Sequence, residues 1–353
     1  MENTDFFSRE LIEWYKTNKR DLPWRETKDP YLIWLSEVIL QQTRVVQGMP
    51  YYFKFVEKYN NIHALARASE TEILRDWQGL GYYSRAKNLH HTARFISTQL
   101  NGKFPESYAA LTQLKGIGPY TAAAIASFAF DEDVAAVDGN VERVLCRVFG
   151  ITENTKLPQV KRTINELALQ LLPKGNSAIY NQAVMEYGAL ICTPKKPNCQ
   201  ACSIRLYCFA YQQNLQTMLP NKHKSKPKKL RYINYLVICS NKKIFMQQRK
   251  QQDIWRGLYE FLPIETHPDD FLNNELIFKT AFADNAQKIK LLYETSILTH
   301  TLSHQLLHCR FLVVTSDDFK KNLSAKNGFF TIEEIKNLPK PVLINNFLEH
   351  HIF

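Results

Sequence analysis

Residues 111–130 read LTQLKGIGPYTAAAIASFAF, with helix-forming residues on both sides of Gly116-Ile117-Gly118. Pro119 follows at a position that a first helical turn tolerates, so we predict two helices joined by a tight turn. The glycines permit positive φ there, and the unpaired N–H groups at the start of the second helix can bind an anion. The pattern is typical of a helical hairpin that contacts phosphate groups. A plain helix pair joined by a glycine-containing turn is the alternative.

The helical pattern extends over the first 212 residues. Asp29-Pro30 is an N-cap and first-turn pair for a helix through WLSEVILQQT. Further helices are predicted at 50–59, 70–78, 84–99, 107–114, 119–129, 140–148, 158–172 and 177–191. After residue 231 the pattern changes to the β-rich runs INYLVICS, KIFMQQR, LLYETSIL and CRFLVVTS, with helices at 268–282 and 342–350. We therefore predict a mainly α domain at 1–212 and an α/β domain at 232–353.

Length and composition agree with two domains. The chain has 353 residues, of which 45% are hydrophobic, which excludes disorder as the main state. It contains no apolar run of the ~18 residues that cross a bilayer, and its first residues do not resemble a signal peptide. We expect a cytoplasmic, nucleoid-associated protein with no membrane partner. The net charge of +11 favours an anionic partner, most often nucleic acid.

More than half of this charge lies in residues 213–231, QNLQTMLPNKHKSKPKKLR. This segment contains six basic residues, two prolines and no acid. Such a composition disfavours a packed core and predicts an extended, solvated linker. Its lysines either contact phosphate groups or only keep the linker soluble.

Four of the seven cysteines, Cys192, Cys199, Cys202 and Cys208, lie within 17 residues. Thiolates so close together repel one another, and a metal or iron–sulfur centre offsets that repulsion. Two disulfides are the alternative, which the apparent lack of a signal sequence disfavours. The spacing alone does not distinguish zinc from an iron–sulfur cluster.

A third motif follows the hairpin, AAVDGNVERVLCRVFG at residues 135–150, in which Asp138 precedes a helix. Alone, Asp138 would more often be an N-cap. In this order, the hairpin at about 107–130, VDGNV and the cysteine loop at 192–208 resemble the endonuclease III superfamily of DNA glycosylases. The resemblance covers most of residues 20–210. It implies a helix-hairpin-helix domain that contacts DNA through Gly116 and Gly118, and one [4Fe-4S] cluster.

Two positions distinguish the branches of this superfamily. Members that also cleave the DNA strand carry a Schiff-base lysine two residues after the second hairpin glycine, where this chain has Tyr120. Lyase chemistry by that route is therefore not expected. The segment LPWRETKDPYLIWLSEVILQQTRV instead resembles the adenine glycosylases of the MutY family. That resemblance makes Glu37 the general acid, and its apolar neighbours Trp34, Leu35 and Val38 favour a raised pKa.

The resemblance implies a monofunctional enzyme that excises adenine opposite 8-oxoguanine or guanine from double-stranded DNA. Adenine would be flipped out of the duplex, Glu37 would protonate N7, and Asp138 would stabilise or trap the oxocarbenium ion. Asn140 and Tyr120 would orient these groups or bind the sugar and phosphate. Four residues would line the adenine pocket: Arg20, Trp24, Leu40 and Gln182. Gln42 and Tyr82 would enter the base stack; for Tyr82 and Trp24, packing as core aromatics is the alternative.

The C-terminal domain resembles the Nudix-like lesion-reading domain of the same family. The run DIWRGLYEFLP matches its W-x-G-L-[YW]-x-F-P strand, except that Leu262 precedes Pro263. The Nudix catalytic motif is absent, which argues against pyrophosphate hydrolysis. The usual F-S-H loop appears as Leu302-Ser303-His304, so Ser303 and His304 are expected to read 8-oxoguanine, unless the pair is simply a turn. We expect a monomer. The alternatives are a glycosylase/lyase for oxidised pyrimidines and a non-catalytic iron–sulfur DNA-binding sensor.

Overall fold

The computed structural model describes residues 2–221, 227–315 and 327–353. The chain divides into two units, one formed by Met1–Arg67 with Asn88–Lys224 and the other by Ala68–Lys87 with Ser225–Phe353. Within the described ranges, no helix has both the length and the apolar character that crossing a membrane requires.

The first 212 residues are helical, as predicted. The α-helices in chain order are α1 Glu2–Asn18, α2 Pro30–Leu40, α3 Val45–Lys58, α4 Ile62–Arg67, α5 Glu70–Asp76, α6 Ser84–Gln99, α7 Tyr108–Leu111, α8 Pro119–Phe130, α9 Gly139–Phe149, α10 Pro158–Gln170, α11 Ser177–Leu190 and α12 Phe209–Gln212. Three of these helices were not predicted: α1, α4 and α12. α3 begins five residues before the predicted start because Pro50 lies inside the helix, near its first turns.

The hairpin has the predicted form with a shorter first helix. α7 is a single turn, and α8 begins at Pro119 with Gly118 as its N-cap. Gly116 has φ +80°, and a Cβ atom there would lie 2.5 Å from Cβ of Asn88. Both backbone conformation and space therefore require glycine at this position.

One core of the first unit lies between α1, α9, α10 and α11. Leu11, Val144, Ala183 and Tyr187 are completely buried in it. α9 is amphipathic, with its apolar residues on the side that packs against α11. This packing fixes the first turn of α9, which carries Asp138 at its N-cap.

The described strands of the second unit form one mixed sheet. They are β1 Lys229–Ser240, β2 Lys243–Gln248, β3 Tyr259–Glu260, β4 Leu262–Thr266, β5 Lys290–Glu294, β6 Leu298–Thr301, β7 Gln305–Thr315 and β8 Asn327–Phe330. β1 runs parallel to β7 and antiparallel to β2 and β4. Asn241 and Lys242 form the turn between β1 and β2, and both residues have positive φ.

Helices cover both faces of this sheet. On one face Tyr235 and Phe311 pack against the last two helices, α14 Ile332–Asn337 and α15 Val342–His351. On the other face Leu236 packs against α13 Asn274–Phe282. This alternation along β1 gives the predicted α/β architecture, with helices on two sides of a central sheet.

Two segments differ from the predicted boundaries. Residues 68–87 belong to the second unit, where Gln78 bonds to Asn345 and Lys340, and Tyr83 donates to the carbonyl of Lys340. The predicted linker is also too wide. Leu219 is buried in the core of the first unit, and β1 begins at Lys229. Leu215 also packs against that core, whereas Met218 is exposed, and residues 222–226 lie outside the described part of the chain.

Candidate active site

A cleft of about 1410 Å³ opens in the first unit between α2, α8, α9 and α11. All eight residues predicted for catalysis and the base pocket line it: Glu37, Asp138, Asn140, Tyr120, Arg20, Trp24, Leu40 and Gln182. Residues from positions 20 to 194 of the chain therefore meet in one concave site.

Glu37 lies on α2 between the fully buried Ser36 and Val38, and its carboxylate faces the cleft. The hydroxyl of Tyr120 donates a hydrogen bond of 2.6 Å to Oε2 of Glu37. Burial raises the pKa of Glu37 to about 7; the Tyr120 hydrogen bond opposes this shift and the negative charge of Asp138 adds to it. Glu37 can therefore hold a proton near neutral pH and release it during a reaction.

Asp138 is held differently, at the N-cap of α9. Its Oδ1 accepts the N–H groups of Asn140 and Val141 at 2.8 Å, and its Oδ2 accepts Nδ2 of Asn140 at 2.6 Å. Burial raises the pKa of Asp138, whereas these hydrogen bonds work against the shift. Donors thus surround the Asp138 carboxylate, while Glu37 has one donor and an apolar setting. The two carboxyl groups of the cleft therefore lie in unequal environments.

One wall of the cleft is a buried ion cluster formed by Arg20, Arg25 and Glu186. Glu186 is 1% exposed and accepts hydrogen bonds from both guanidinium groups, at 2.6 to 3.1 Å. Burial works to raise the pKa of Glu186, but the hydrogen bonds from Arg20 and Arg25 outweigh it and lower the pKa to about 2. The cluster therefore stays ionised and holds Arg20 at the edge of the cleft.

The other predicted pocket residues have defined supports. Trp24 packs edge-on against Tyr52, with ring centroids 5.1 Å apart. Gln182 accepts a hydrogen bond of 2.5 Å from the hydroxyl of Tyr15 through its Oε1. Leu40 ends α2 at the rim of the cleft.

Sequence reasoning missed Arg25, Glu186 and Tyr15. Glu186 lies one helical turn after Gln182, so the pair shares a face of α11, and this i, i+4 spacing was a usable signal. Arg25 follows Trp24 directly. Tyr15 lies 167 residues from Gln182, and no local pattern connects them.

The four cysteines surround a small, mostly apolar cavity next to α9 and α11. Arg147 donates to Sγ of Cys192 at 3.2 Å, and the hydroxyl of Tyr187 donates to Sγ of Cys202 at 3.2 Å. All four are free thiols, so the predicted alternative of two disulfides is not formed. Among the described residues, no three His, Cys, Asp or Glu side chains are arranged to hold a metal ion.

Arg143 connects the cysteine loop to Asp138 through Asn140. Its guanidinium donates to the carbonyl of Cys192 at 2.7 Å and to Oδ1 of Asn140 at 2.9 Å. Asn140 in turn binds Asp138. A continuous chain of hydrogen bonds therefore runs from the loop to the active site.

The predicted DNA-contacting residues lie in two places. Gln42 is exposed at the rim of the cleft with φ 54°, and Gly116 and Gly118 are exposed in the hairpin turn. Tyr82, Ser303 and His304 belong to the second unit and are exposed. There, Oη of Tyr82 and Oγ of Ser303 lie 2.8 Å apart in a hydrogen bond. Leu302 packs partly against the domain core.

A helical hairpin next to a cleft that contains two carboxyl groups is the arrangement of a base-excising DNA glycosylase. Residues 35–170 match the HhH-GPD superfamily of base excision DNA repair proteins, and residues 234–350 match the NUDIX domain. A solved thermostable thymine-DNA glycosylase is similar to 60% of this chain and 98% of its own, with 32% identity and a TM-score of 0.56. Endonuclease III, trapped as a covalent intermediate with DNA, shares the fold at 21% identity and a TM-score of 0.53.

Two relatives identify the class of glycosylase more closely. The adenine DNA glycosylase of Buchnera aphidicola subsp. Schizaphis graminum is 33% identical over 95% of this chain and 96% of its own. The human adenine DNA glycosylase is 41% identical over 60% of this chain and 41% of its own. The chain belongs to the adenine DNA glycosylase family, and it is a hydrolytic N-glycosylase of base excision repair.

Proposed function

We propose that this enzyme excises adenine paired with 8-oxoguanine or guanine, using Glu37 and Asp138. The observation that carries the proposal is the pair of unequal carboxylates in one cleft, with Glu37 near pKa 7 and Asp138 held by backbone and side-chain donors. Hydrolysis of an N-glycosidic bond needs both an acid and a stabilising or nucleophilic carboxylate.

The reaction begins with adenine flipped into the cleft, because its reactive atoms are inaccessible in the base stack. Glu37 gives its proton to N7, and the glycosidic electron pair leaves with the base. Asp138 then stabilises the resulting oxocarbenium ion, or its carboxylate forms a covalent bond to C1′. In the covalent case water displaces Asp138 in a second step, so the configuration at C1′ is retained. The oxygen of water becomes the hydroxyl group on C1′, and the proton that the water loses returns to Glu37.

Tyr120 and Asn140 act as orienting groups in this mechanism. The Tyr120 hydroxyl fixes one oxygen of Glu37, leaving the other for the proton. Asn140 spans Asp138 and Arg143, so both ends of its amide are assigned. Because Tyr120 has no amine, strand cleavage through a Schiff base is not part of the proposed reaction.

The four cysteines are proposed to hold one [4Fe-4S] cluster. Soft sulfur donors around one cavity, with N–H and O–H groups directed at two of the sulfurs, suit such a cluster. The four cysteines would hold such a cluster as a cross-link of the loop, and the proposed bond cleavage uses only Glu37 and Asp138. Iron and sulfide analysis of the purified protein tests this assignment independently of activity.

We assign recognition of 8-oxoguanine to Ser303 and His304. The enzyme is proposed to bind duplex DNA as a monomer. Guanine has an acceptor at N7, whereas 8-oxoguanine carries a hydrogen there, and the Ser303 hydroxyl is exposed for such a contact. In Ser303→Ala we expect the preference for adenine opposite 8-oxoguanine over adenine opposite guanine to fall by about 10-fold, the value of one hydrogen bond. Single-turnover rates on the two duplexes measure it, and an unchanged preference would refute the role.

The substrate assignment is tested with a panel of duplexes that differ only in the base pair. Free adenine should be released from pairs with 8-oxoguanine and guanine, with no borohydride-trapped complex. Release of an oxidised pyrimidine without release of adenine would contradict the proposal. Duplex binding without base release would instead support a non-catalytic sensor.

A further inference from the structure

Gln182 contacts the proposed base pocket, but a residue outside the cleft controls its orientation. Tyr15 on α1 is 5% exposed and is not among the residues that line the cleft. Its hydroxyl donates a hydrogen bond of 2.5 Å to Oε1 of Gln182 on α11. The Tyr15 hydroxyl therefore reaches the pocket through the Gln182 amide.

The environment of Tyr15 favours the donor role of its hydroxyl. The guanidinium of Arg25 lies 5.4 Å from the centre of the Tyr15 ring, and Glu186 holds Arg25 in place. Burial raises the pKa of Tyr15, so the hydroxyl keeps its proton at neutral pH, and the positive charge of Arg25 opposes that rise. A protonated phenol next to a cation is a good hydrogen-bond donor.

As a consequence, several hydrogen-bond donors line the side of the cleft that would face the base. In the described part of the chain Nε2 of Gln182 has no hydrogen-bond partner, so its two N–H groups are available to the cleft. Arg20 binds Glu186 through Nε and Nη2, which leaves Nη1 available. Protonated Glu37 adds an O–H donor. Adenine presents acceptors at N1, N3 and N7, whereas hypoxanthine and guanine carry a hydrogen on N1.

We propose that Tyr15 is a positioning residue for base selection: its hydroxyl fixes the Gln182 amide so that the N–H groups, rather than the carbonyl, face the excised base. This rests on the proposed placement of adenine in the cleft. A site whose donors are fixed rejects a base that offers a hydrogen where an acceptor is needed. Without the Tyr15 hydroxyl, the amide can turn over and accept from such a base.

The test compares Tyr15→Phe with a matched control, Tyr180→Phe. Tyr180 is also a buried tyrosine, it lies on α11, its side chain bonds to Ser8, and it does not line the cleft. Single-turnover base release is measured on duplexes with adenine or hypoxanthine opposite the same 8-oxoguanine. In Tyr15→Phe the ratio of adenine to hypoxanthine rates should fall by about 3- to 10-fold, the range for one hydrogen bond. Tyr180→Phe should keep the wild-type ratio.

A wild-type ratio in folded Tyr15→Phe would overturn the inference, even if both rates fell, because a purely structural role lowers them together. Gln182→Ala separates this failure from failure of the pocket assignment. If Gln182→Ala also keeps the ratio, Gln182 does not contact the base, and the placement of adenine is wrong. If Gln182→Ala lowers the ratio, Tyr15→Phe should add nothing in that background.

Discussion

Among single residues, the contact between Glu37 and Tyr120 matters most for the proposed chemistry. A glutamate in water would be ionised at pH 7, and it holds a proton here because burial raises its pKa to about 7. The Tyr120 hydroxyl limits that rise. The sequence supported a raised pKa from the apolar neighbours of Glu37, but not the bond to Tyr120, because the two residues are 83 positions apart.

This contact predicts a pH dependence. The rate of adenine release should fall about 10-fold per pH unit above the pKa of Glu37, because only the protonated acid reacts. Tyr120→Phe removes a hydrogen bond that stabilises the carboxylate, so the pKa should rise and the falling limb should move to higher pH. Single-turnover rates measured between pH 5 and 9 would show a shift of about one pH unit, which corresponds to the free energy of one such hydrogen bond. A limb that stays in place or moves to lower pH would show that the bond does not tune the acid.

α9 connects the active site with the cysteine loop at the scale of secondary structure. Its N-cap is Asp138, and its later turns carry Arg143 and Arg147, which bind the backbone and sulfur of Cys192. The helix itself was predictable from its amphipathic pattern and capping residue. The arginine contacts were not, because they depend on how α9 packs beside the loop.

The double role of Asp138 can be separated by one substitution. Asparagine caps helices about as well as aspartate, so Asp138→Asn should leave thermal stability nearly unchanged. It removes the negative charge that we propose stabilises the oxocarbenium ion, so adenine release should slow by roughly 100-fold or more. Melting curves and single-turnover rates measure the two effects. Loss of stability with wild-type activity in the folded fraction would assign Asp138 to capping alone.

Charge is distributed unevenly at the scale of the whole molecule. The net charge is +11, and residues 213–231 hold six basic residues without an acid, while the reaction depends on two carboxylates. The two-domain division, the mainly α and α/β classes and most helices were predictable from local patterns. The assignment of residues 68–87 to the second unit was not, because it rests on contacts with residues more than 200 positions away.

This distribution predicts that the linker supports duplex affinity without selecting the base. A variant with glutamine at four linker positions tests it: Lys222, Lys224, Lys226 and Lys228. Affinity for undamaged duplex should fall, and the dependence of log Kd on log salt should become shallower by about 0.9 per lost phosphate contact. Rates at saturating enzyme should not change. An unchanged salt slope would mean that these lysines only keep the linker soluble.

In the proposed mechanism, Glu37 supplies the proton that releases adenine. The most direct measurement is the single-turnover rate of adenine release by Glu37→Gln from a duplex with adenine opposite 8-oxoguanine, under conditions where binding is shown to be intact. Glutamine has nearly the same shape and carries no transferable proton, so we predict a loss of about 10²- to 10⁴-fold relative to the wild-type enzyme. Adenine release at the wild-type rate by this variant would contradict the mechanism.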